Sequence, residues 1–258
     1  MMERITESRR VGLARALSKL GYCSRSQAAK LIRAGRVRLN GATRCDPETP
    51  VHLERDRIEV DREGVTAESK IYLVLNKPRG VVSTASDEKG RQTVYSLLGD
   101  KFPWVGPVGR LDKASEGLLL LTNDSEWAAR ISDPGSHLDK TYHVQVGSLP
   151  DITLTDALRN GTRAGGERLR AKRVRVLRTG EKNTWLEIVL DEGKNRHIRR
   201  MLEPFGIEIH RLIRVAIGPL ALGQLAKGKS RALAPEEKCA LDRAIRMARG
   251  GTRMAGTG

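Results

Sequence analysis

The chain of 258 residues reads as an α+β protein in two parts. A small N-terminal αβ domain covers residues 11–60. A larger domain over 71–235 is built on a mixed, largely antiparallel sheet flanked by helices. Three observations predict this. Residues 11–60 carry two short amphipathic helical patterns followed by a basic strand and an Asn-Gly turn. Residues 61–70, "DREGVTAESK", are polar and read as a linker. From Ile71 onward, short β-rich runs alternate with few long helical patterns, as expected for strands that pair mainly with one another.

In the first part Val11, Leu13, Leu17 and Leu20 keep helical spacing, and Gly21 stops the helix. Ser24 then stands three residues before Gln27, a capping-box pattern. Ala28, Leu31 and Ile32 form the apolar stripe of a second helix that Gly35 ends. In "RVRLNG" Val37 and Leu39 face one way and Arg36 and Arg38 the other, and Asn40-Gly41 signals a hairpin turn. In the second part "IYLVLN", "VGPVGRLD", "EGLLLLT", "YHVQV", "WLEIVL" and "RLIRVAIG" are strand-like, whereas "SEWAARI" and "NRHIRRMLEPFG" are helix-like. Residues 236–258 form a C-terminal tail with one short helix and a disordered final ten residues.

Charge points to the partner. Net charge is +16 and the isoelectric point about 10.3, which calls for a polyanion. Residues 1–40 hold ten Lys or Arg against two Glu, a net +8 that is half of the excess. A charge run is usually a solvated face. Here the cations bracket a compact helix pair and recur on its strand. Arg15, Lys19, Arg25, Lys30, Arg33, Arg36 and Arg38 are therefore expected to form a nucleic-acid-binding face. Aromatic residues make up 3%, too few for stacking platforms to dominate binding. No apolar run reaches membrane-spanning length, and the N-terminus has no apolar signal core, so a cytoplasmic protein is expected. Cys23, Cys45 and Cys239 are scattered, with neither zinc-ligand spacing nor an even count for disulfides.

Three places carry candidate chemistry. Asp112 lies in "GRLDKASEGLLLLTND", between two strand-like runs. Aspartates favour turns. A carboxylate walled by apolar residues, however, calls for a cationic partner and can serve as nucleophile or base. The partner expected is Lys194 in "DEGKNRHIRRML", just ahead of a helix. That helix turns Ile198, Met201 and Leu202 inward and Arg196, Arg199 and Arg200 outward, toward phosphate. Tyr142 shares a strand face with Val144 and Val146. It is either plain core or a planar surface for one flipped base.

"LARALSKLGYCSRSQAAKLIRAGRVRLNG" resembles the S4-type RNA-binding domain, whose helix pair and following strand contact structured RNA. "GRLDKASEGLLLLTND" is similar to the signature of RNA pseudouridine synthases, most closely the ribosomal RNA-modifying branch with an N-terminal S4-type domain. "LVLNKPRGVVST", "DKTYHVQV", "LDEGKNRHIRRML" and "RLIRVAIGPLALGQLAKGKSRAL" look like the other blocks of that branch, in order, so that the resemblance covers residues 11–235. It implies isomerisation of uridine to pseudouridine without cofactor or metal. The family's essential aspartate falls on Asp112. Its base-stacking tyrosine, with a hydroxyl placed for proton transfer, falls on Tyr142, and its basic partner of the aspartate on Lys194. The apolar residue beside the uracil pocket falls on Ile198, and Arg110 would fill the space that the flipped base leaves. Asp112 would attack the sugar or the base, or remove a proton from the sugar; the sequence leaves these open. One departure concerns the target: many relatives have His-Gln where Arg196-His197 stands here. The partner implied is ribosomal RNA, the large subunit favoured, bare or within an assembly intermediate, bound by a monomer. Two rival readings are a non-catalytic RNA-binding assembly factor on the same fold and a DNA-binding protein.

Overall fold

The computed structural model describes residues 10–84, 90–99, 102–147 and 153–254, with side chains to Ala248. Arg4 and Arg9 of the basic segment, and the last four residues of the tail, lie outside this description. Contacts divide the chain into two units. The first comprises Met1–Tyr72, Asp100–Gly106 and Thr122–Glu126; the second comprises Leu73–Gly99, Pro107–Leu121 and Trp127–Gly258.

The first unit runs β1 (Val11–Gly12), α1 (Leu13–Lys19), α2 (Arg25–Arg33), β2 (Val37–Leu39), β3 (Ala42–Arg44), β4 (Pro50–Val51), β5 (Ile58–Val60) and β6 (Glu63–Gly64). The Ser24–Gln27 capping box forms in both directions, with Ser24 N donating to Gln27 Oε1 at 3.1 Å and Gln27 N to Ser24 Oγ at 3.2 Å. Asn40 and Gly41 adopt φ 51° and 82°, the left-handed pair of a type I′ hairpin between β2 and β3. Leu13, Leu17, Ala28 and Ile32 pack against Val37, Leu39, Ile58 and Val60 in one buried cluster. The polar stretch expected as a linker from residue 61 begins as structure. Asp61 and Arg62, at φ 52° and 73°, turn a second hairpin and pair β5 with β6. No Gly or Asn-Gly pair advertises that turn. Its Asp61 is held instead by Arg36, whose Nε donates at 2.8 Å.

The chain continues, mostly in the second unit, as β7 (Tyr72–Lys77), β8 (Gly106–Val108), β9 (Glu116–Thr122), α3 (Ser125–Ser132), β10 (Lys140–Val146), α4 (Thr153–Asn160), β11 (Thr162–Ala164) and β12 (Glu167–Leu169). It ends with β13 (Arg173–Thr179), β14 (Thr184–Leu190), α5 (His197–Leu202), β15 (Ile209–Ile217), β16 (Leu220–Ala221), β17 (Ser230–Ala232) and α6 (Pro235–Met254). Nine strands form one sheet in the order β13-β14-β10-β15-β9-β7-β17, with β16 beside β15 and β8 beside β9. Strands β9 and β15 run parallel, while β10, β13, β14, β15, β16 and β17 pair antiparallel with their other registered neighbours. The sheet is therefore mixed and largely antiparallel, as the sequence predicts.

Two features position the site. All seven residues of β9 are buried, so the "LLLLT" run is an internal strand and fixes the loop that precedes it. Gly117 of β9 has φ 102°, and a Cβ there would lie 2.2 Å from the carbonyl oxygen of Arg214. Only glycine lets β15 approach at the parallel crossing. Residues 235–254 form a 20-residue helix, longer than the short tail helix expected.

Candidate active site

A cavity of about 480 Å³ opens in the second unit. It is lined by the Gly109–Asp112 turn, Tyr142 and Arg214 of the sheet, and Lys194, Arg196 and Ile198 around the start of α5. Motifs as far apart in sequence as Asp112 and Arg214 thus meet at one opening.

The Asp112 turn is clamped from behind by the segment that follows β7. Lys77 is fully buried, and its ammonium donates to the carbonyl oxygens of Pro78, Asp112 and Ser115 at 3.0, 3.2 and 2.7 Å. Gly80 N donates to Lys113 O at 2.8 Å. Ser83 Oγ donates to Leu111 O at 2.9 Å and accepts from Leu111 N at 3.3 Å. Lys77, Gly80 and Ser83 of the "KPRGVVS" segment thus all meet backbone between Leu111 and Ser115 and hold Asp112 in place, whereas Arg79 donates to His210 O at 3.2 Å and Val82 N to Gln92 O at 3.0 Å. Burial lowers the Lys77 pKa to about 8, against the opposing fields of Glu116 and Asp112.

Tyr142 is half-buried on β10, opposite Ile188 and Arg214, and packs on the same core cluster as Val144 and Val146. Beside it Arg214 is 6% exposed, with Nε donating to Leu118 O at 2.8 Å and Nη2 buried without a protein partner. Lys140, also on the wall, has its pKa lowered by burial and by the Arg214 charge.

Helix α5 turns Ile198, Met201 and Leu202 into the core, as its spacing predicts. Arg196 caps it in a left-handed conformation, φ 50°, and is exposed at the rim. Arg200 is engaged elsewhere, with Glu167 at 2.7 Å and Ala164 O at 2.8 Å. Burial lowers the pKa of His197, 4% exposed, below the ordinary histidine value.

Two expectations about Asp112 need correction. Its side chain is exposed at the cavity mouth, not enclosed by apolar walls, because the turn projects beyond the buried start of β9. Nor does it pair with Lys194. Lys194 Nζ lies 3.0 Å from Glu192 Oε2, two residues back on the same loop, where the shorter reach wins. Lys77 and Arg199 both lie close enough for the Asp112 carboxylate to raise their pKa. Arg199 is anchored to the same turn, Nη2 donating to Ala114 O at 3.4 Å. Its pKa is lowered by burial and by Arg196 and raised by Asp112.

Sequence reasoning missed Lys77 and Arg214, yet each carries a signal. A lysine directly ahead of proline at the end of an apolar strand has little access to water. Arg214 shares strand parity with buried Leu212.

In the first unit the expected basic face is thinned. Lys19 pairs with Glu126 at 2.6 Å, Arg36 with Asp61, and Arg38 with Glu59 at 3.9 Å. Arg15, Arg25, Lys30 and Arg33 are exposed, with no carboxylate within ion-pair distance among the described residues. Among the described residues no cluster of His, Cys, Asp or Glu could hold a metal ion, and no helix is long and apolar enough to cross a membrane.

Comparison with known proteins fits this geometry. Residues 71–204 match the family model described as RNA pseudouridylate synthase, and residues 11–58 match the S4 domain. An uncharacterised RNA pseudouridine synthase of Rickettsia prowazekii is 39% identical over 218 residues, 84% of this chain and 91% of that protein. The Bacillus subtilis protein named ribosomal large subunit pseudouridine synthase B is 35% identical over 227 residues, 87% of this chain and 93% of its own. A crystal structure of a pseudouridylate synthase superposes with a TM-score of 0.63 at 30% identity, covering 90% of this chain and 99% of that one. With two strands of sequence and one of structure in agreement, the chain belongs to the RNA pseudouridine synthase family and carries an S4 domain ahead of its catalytic domain.

Proposed function

We propose that the protein isomerises a uridine of large-subunit ribosomal RNA to pseudouridine, with Asp112 as the catalytic carboxylate. The observation that carries the reading is the clamped Asp112 turn at the mouth of a cavity walled by Tyr142, Ile198 and Arg214. The Bacillus subtilis relative's name supports the large subunit as target.

The reaction breaks the N1–C1′ bond, turns the uracil and joins C5 to C1′; N1 gains a proton and C5 loses one. The base must leave its helix to be reached, at a cost of a few kcal/mol. Arg110, exposed on the rim, fills the space it leaves. Tyr142 stacks on the extruded base, and Ile198 supplies the apolar wall that keeps the detached uracil out of water. Arg199, coupled to Asp112 through space and tied to its turn, is the basic partner; Lys194 serves on the rim beside Glu192. Arg196, with Arg15, Arg25, Lys30 and Arg33 of the first unit, meets phosphates. No cofactor is called for, since the reaction is an isomerisation. The protein acts as a monomer in the cytoplasm, on free RNA or on an assembly intermediate.

The test is incubation with unmodified large- and small-subunit ribosomal RNA, separately, and mapping of pseudouridine at single-nucleotide resolution. One new site in the large-subunit RNA that vanishes with Asp112→Ala, RNA affinity being retained, is expected. Product from Asp112→Ala would refute the site, and a site only in the small-subunit RNA would refute the target.

A further inference from the structure

We propose that the sheet face opposite the core, across β13, β14, β10 and β15, is a second RNA-binding surface that holds a single-stranded segment on Trp185 and its flanking arginines. Alternation along these strands sends Val144, Val146, Leu186 and Leu212 into the core. It sends Trp185, Glu187, His143 and Arg211 to the other side.

The register arranges these side chains in rows. Arg178 stands opposite Trp185, Trp185 opposite Gln145, and Gln145 opposite Arg211. The next row is Arg175, Glu187, His143 and Ile213. A bulge creates the first row. Regular alternation would put Leu177 opposite Trp185, but the register shifts between Val176 and Arg178 and brings a guanidinium there instead. Arg178 lies 5.2 Å from the Trp185 ring centroid, and Arg211, from the far side of β10, lies 5.7 Å from it.

Charge completes the surface. Arg173 and Arg175 share a single carboxylate, Glu187, at 3.3 and 3.6 Å, so the edge keeps excess positive charge. Arginine on an edge strand can also serve merely to block strand-to-strand aggregation. That purpose needs charge at the edge. It does not need a guanidinium brought in by a bulge to an indole that a second one, Arg211, held by Glu116 at 3.0 Å, also reaches across β10. Planar cations and an indole on an open sheet are the groups on which unpaired bases stack while phosphates meet the arginines. Arginines around one indole suit a nucleic-acid strand better than a folded protein.

The inference rests on RNA being the partner, and its test is separable from the isomerase activity. Trp185→Leu and the pair Arg175→Gln with Arg178→Gln would be made in the full chain, with Arg178→Lys as a charge-preserving control. Binding would be measured to transcribed large-subunit ribosomal RNA at several salt concentrations, with polyglutamate as a competing acidic polymer. Trp185→Leu is expected to weaken RNA binding about tenfold, one stacked base's worth. The double variant should lower the salt slope by about 1.4, for two phosphates of a single strand. Each variant should melt like the parent protein. Ultraviolet crosslinking should attach RNA to the peptide containing Trp185. Unchanged affinity and salt slope, with no crosslink there, would overturn the proposal. So would loss of polyglutamate binding with RNA binding intact, which would mark an acidic protein partner. If the parent protein binds RNA but forms no pseudouridine, the isomerase reading fails while these binding results still decide the surface.

Discussion

Lys77→Met tests whether the buried ammonium behind the Asp112 turn positions the catalytic carboxylate. Methionine fills nearly the same volume but removes all three donated hydrogen bonds, to Pro78, Asp112 and Ser115. Each buried carbonyl left without a donor costs ~1–3 kcal/mol, and those of Pro78 and Asp112, only partly buried, fall at the low end. Eliminating a buried charge and gaining apolar packing return part of that sum. The net loss expected is about 3 kcal/mol, the lower half of the range for three stranded acceptors. In a chain of this size it lowers Tm by roughly 6–12 °C. The larger effect is on rate. With Leu111, Lys113 and Ala114 still tied by Ser83, Gly80 and Arg199, the turn keeps its course but loses its anchor at Asp112 itself. A displacement of about 1 Å at a reacting group costs roughly a hundredfold. Single-turnover pseudouridine formation on ribosomal RNA should therefore fall about a hundredfold, while filter-binding affinity for that RNA hardly moves. A variant with parental Tm and rate would refute the anchoring role. One that lost RNA affinity in parallel with rate would show a general collapse of the domain instead.

The same lysine predicts a pH dependence. Its folded pKa of about 8 lies below the ordinary lysine value of 10.5, so across that window the unfolded chain binds the extra proton and this group's contribution to stability rises with pH. Catalysis should go the other way: as pH climbs through about 8, the third N–H donor and the charge disappear, and the single-turnover rate falls without a matching drop in Tm. Lys77→Met should lack that limb; its persistence would assign it to another group. Arg199→Ala should cost far more rate than Lys194→Ala, because Arg199 is coupled to Asp112 whereas Lys194 pairs with Glu192. Equal losses, measured under single-turnover conditions, would restore Lys194 as the partner. Gly117→Ala places a Cβ 2.2 Å from the Arg214 carbonyl oxygen at φ 102° and should destabilise by more than ~4 kcal/mol. Soluble, normally melting Gly117→Ala protein would mean that the β9–β15 crossing yields more easily than its geometry implies.

Much of the scaffold is legible in the sequence because its causes are local. The Ser24–Gln27 capping box spans one turn, and Asn40-Gly41 adopts its left-handed pair without help from the rest of the chain. Helix α5 buries Ile198, Met201 and Leu202 because their spacing leaves no other apolar face. Asp112 is recognisable because it stands between two apolar strands, and Tyr142 because strand parity puts it with Val144 and Val146. The hairpin at Asp61–Arg62 is not legible. Asp61 tolerates positive φ but Arg62 does not favour it, and the turn relies on Arg36, 25 residues earlier.

What the sequence by itself determined is thus the kind of element at each place, the positive partner-seeking charge, and the blocks that resemble a family. Those depend on side-chain periodicity, capping and turn chemistry within a few residues. Only the tertiary structure decided which long side chain reaches which carboxylate. It gave Lys194 to Glu192, Arg199 to the Asp112 turn, Lys19 to Glu126, and Lys77 to carbonyls up to 38 residues away. It also turned the bulge after Val176 into a row of Arg178, Trp185 and Arg211. Lysine and arginine have several rotatable bonds and many possible acceptors. The competition among those acceptors is settled by burial and by the crossing of strands remote in sequence, which no local pattern encodes.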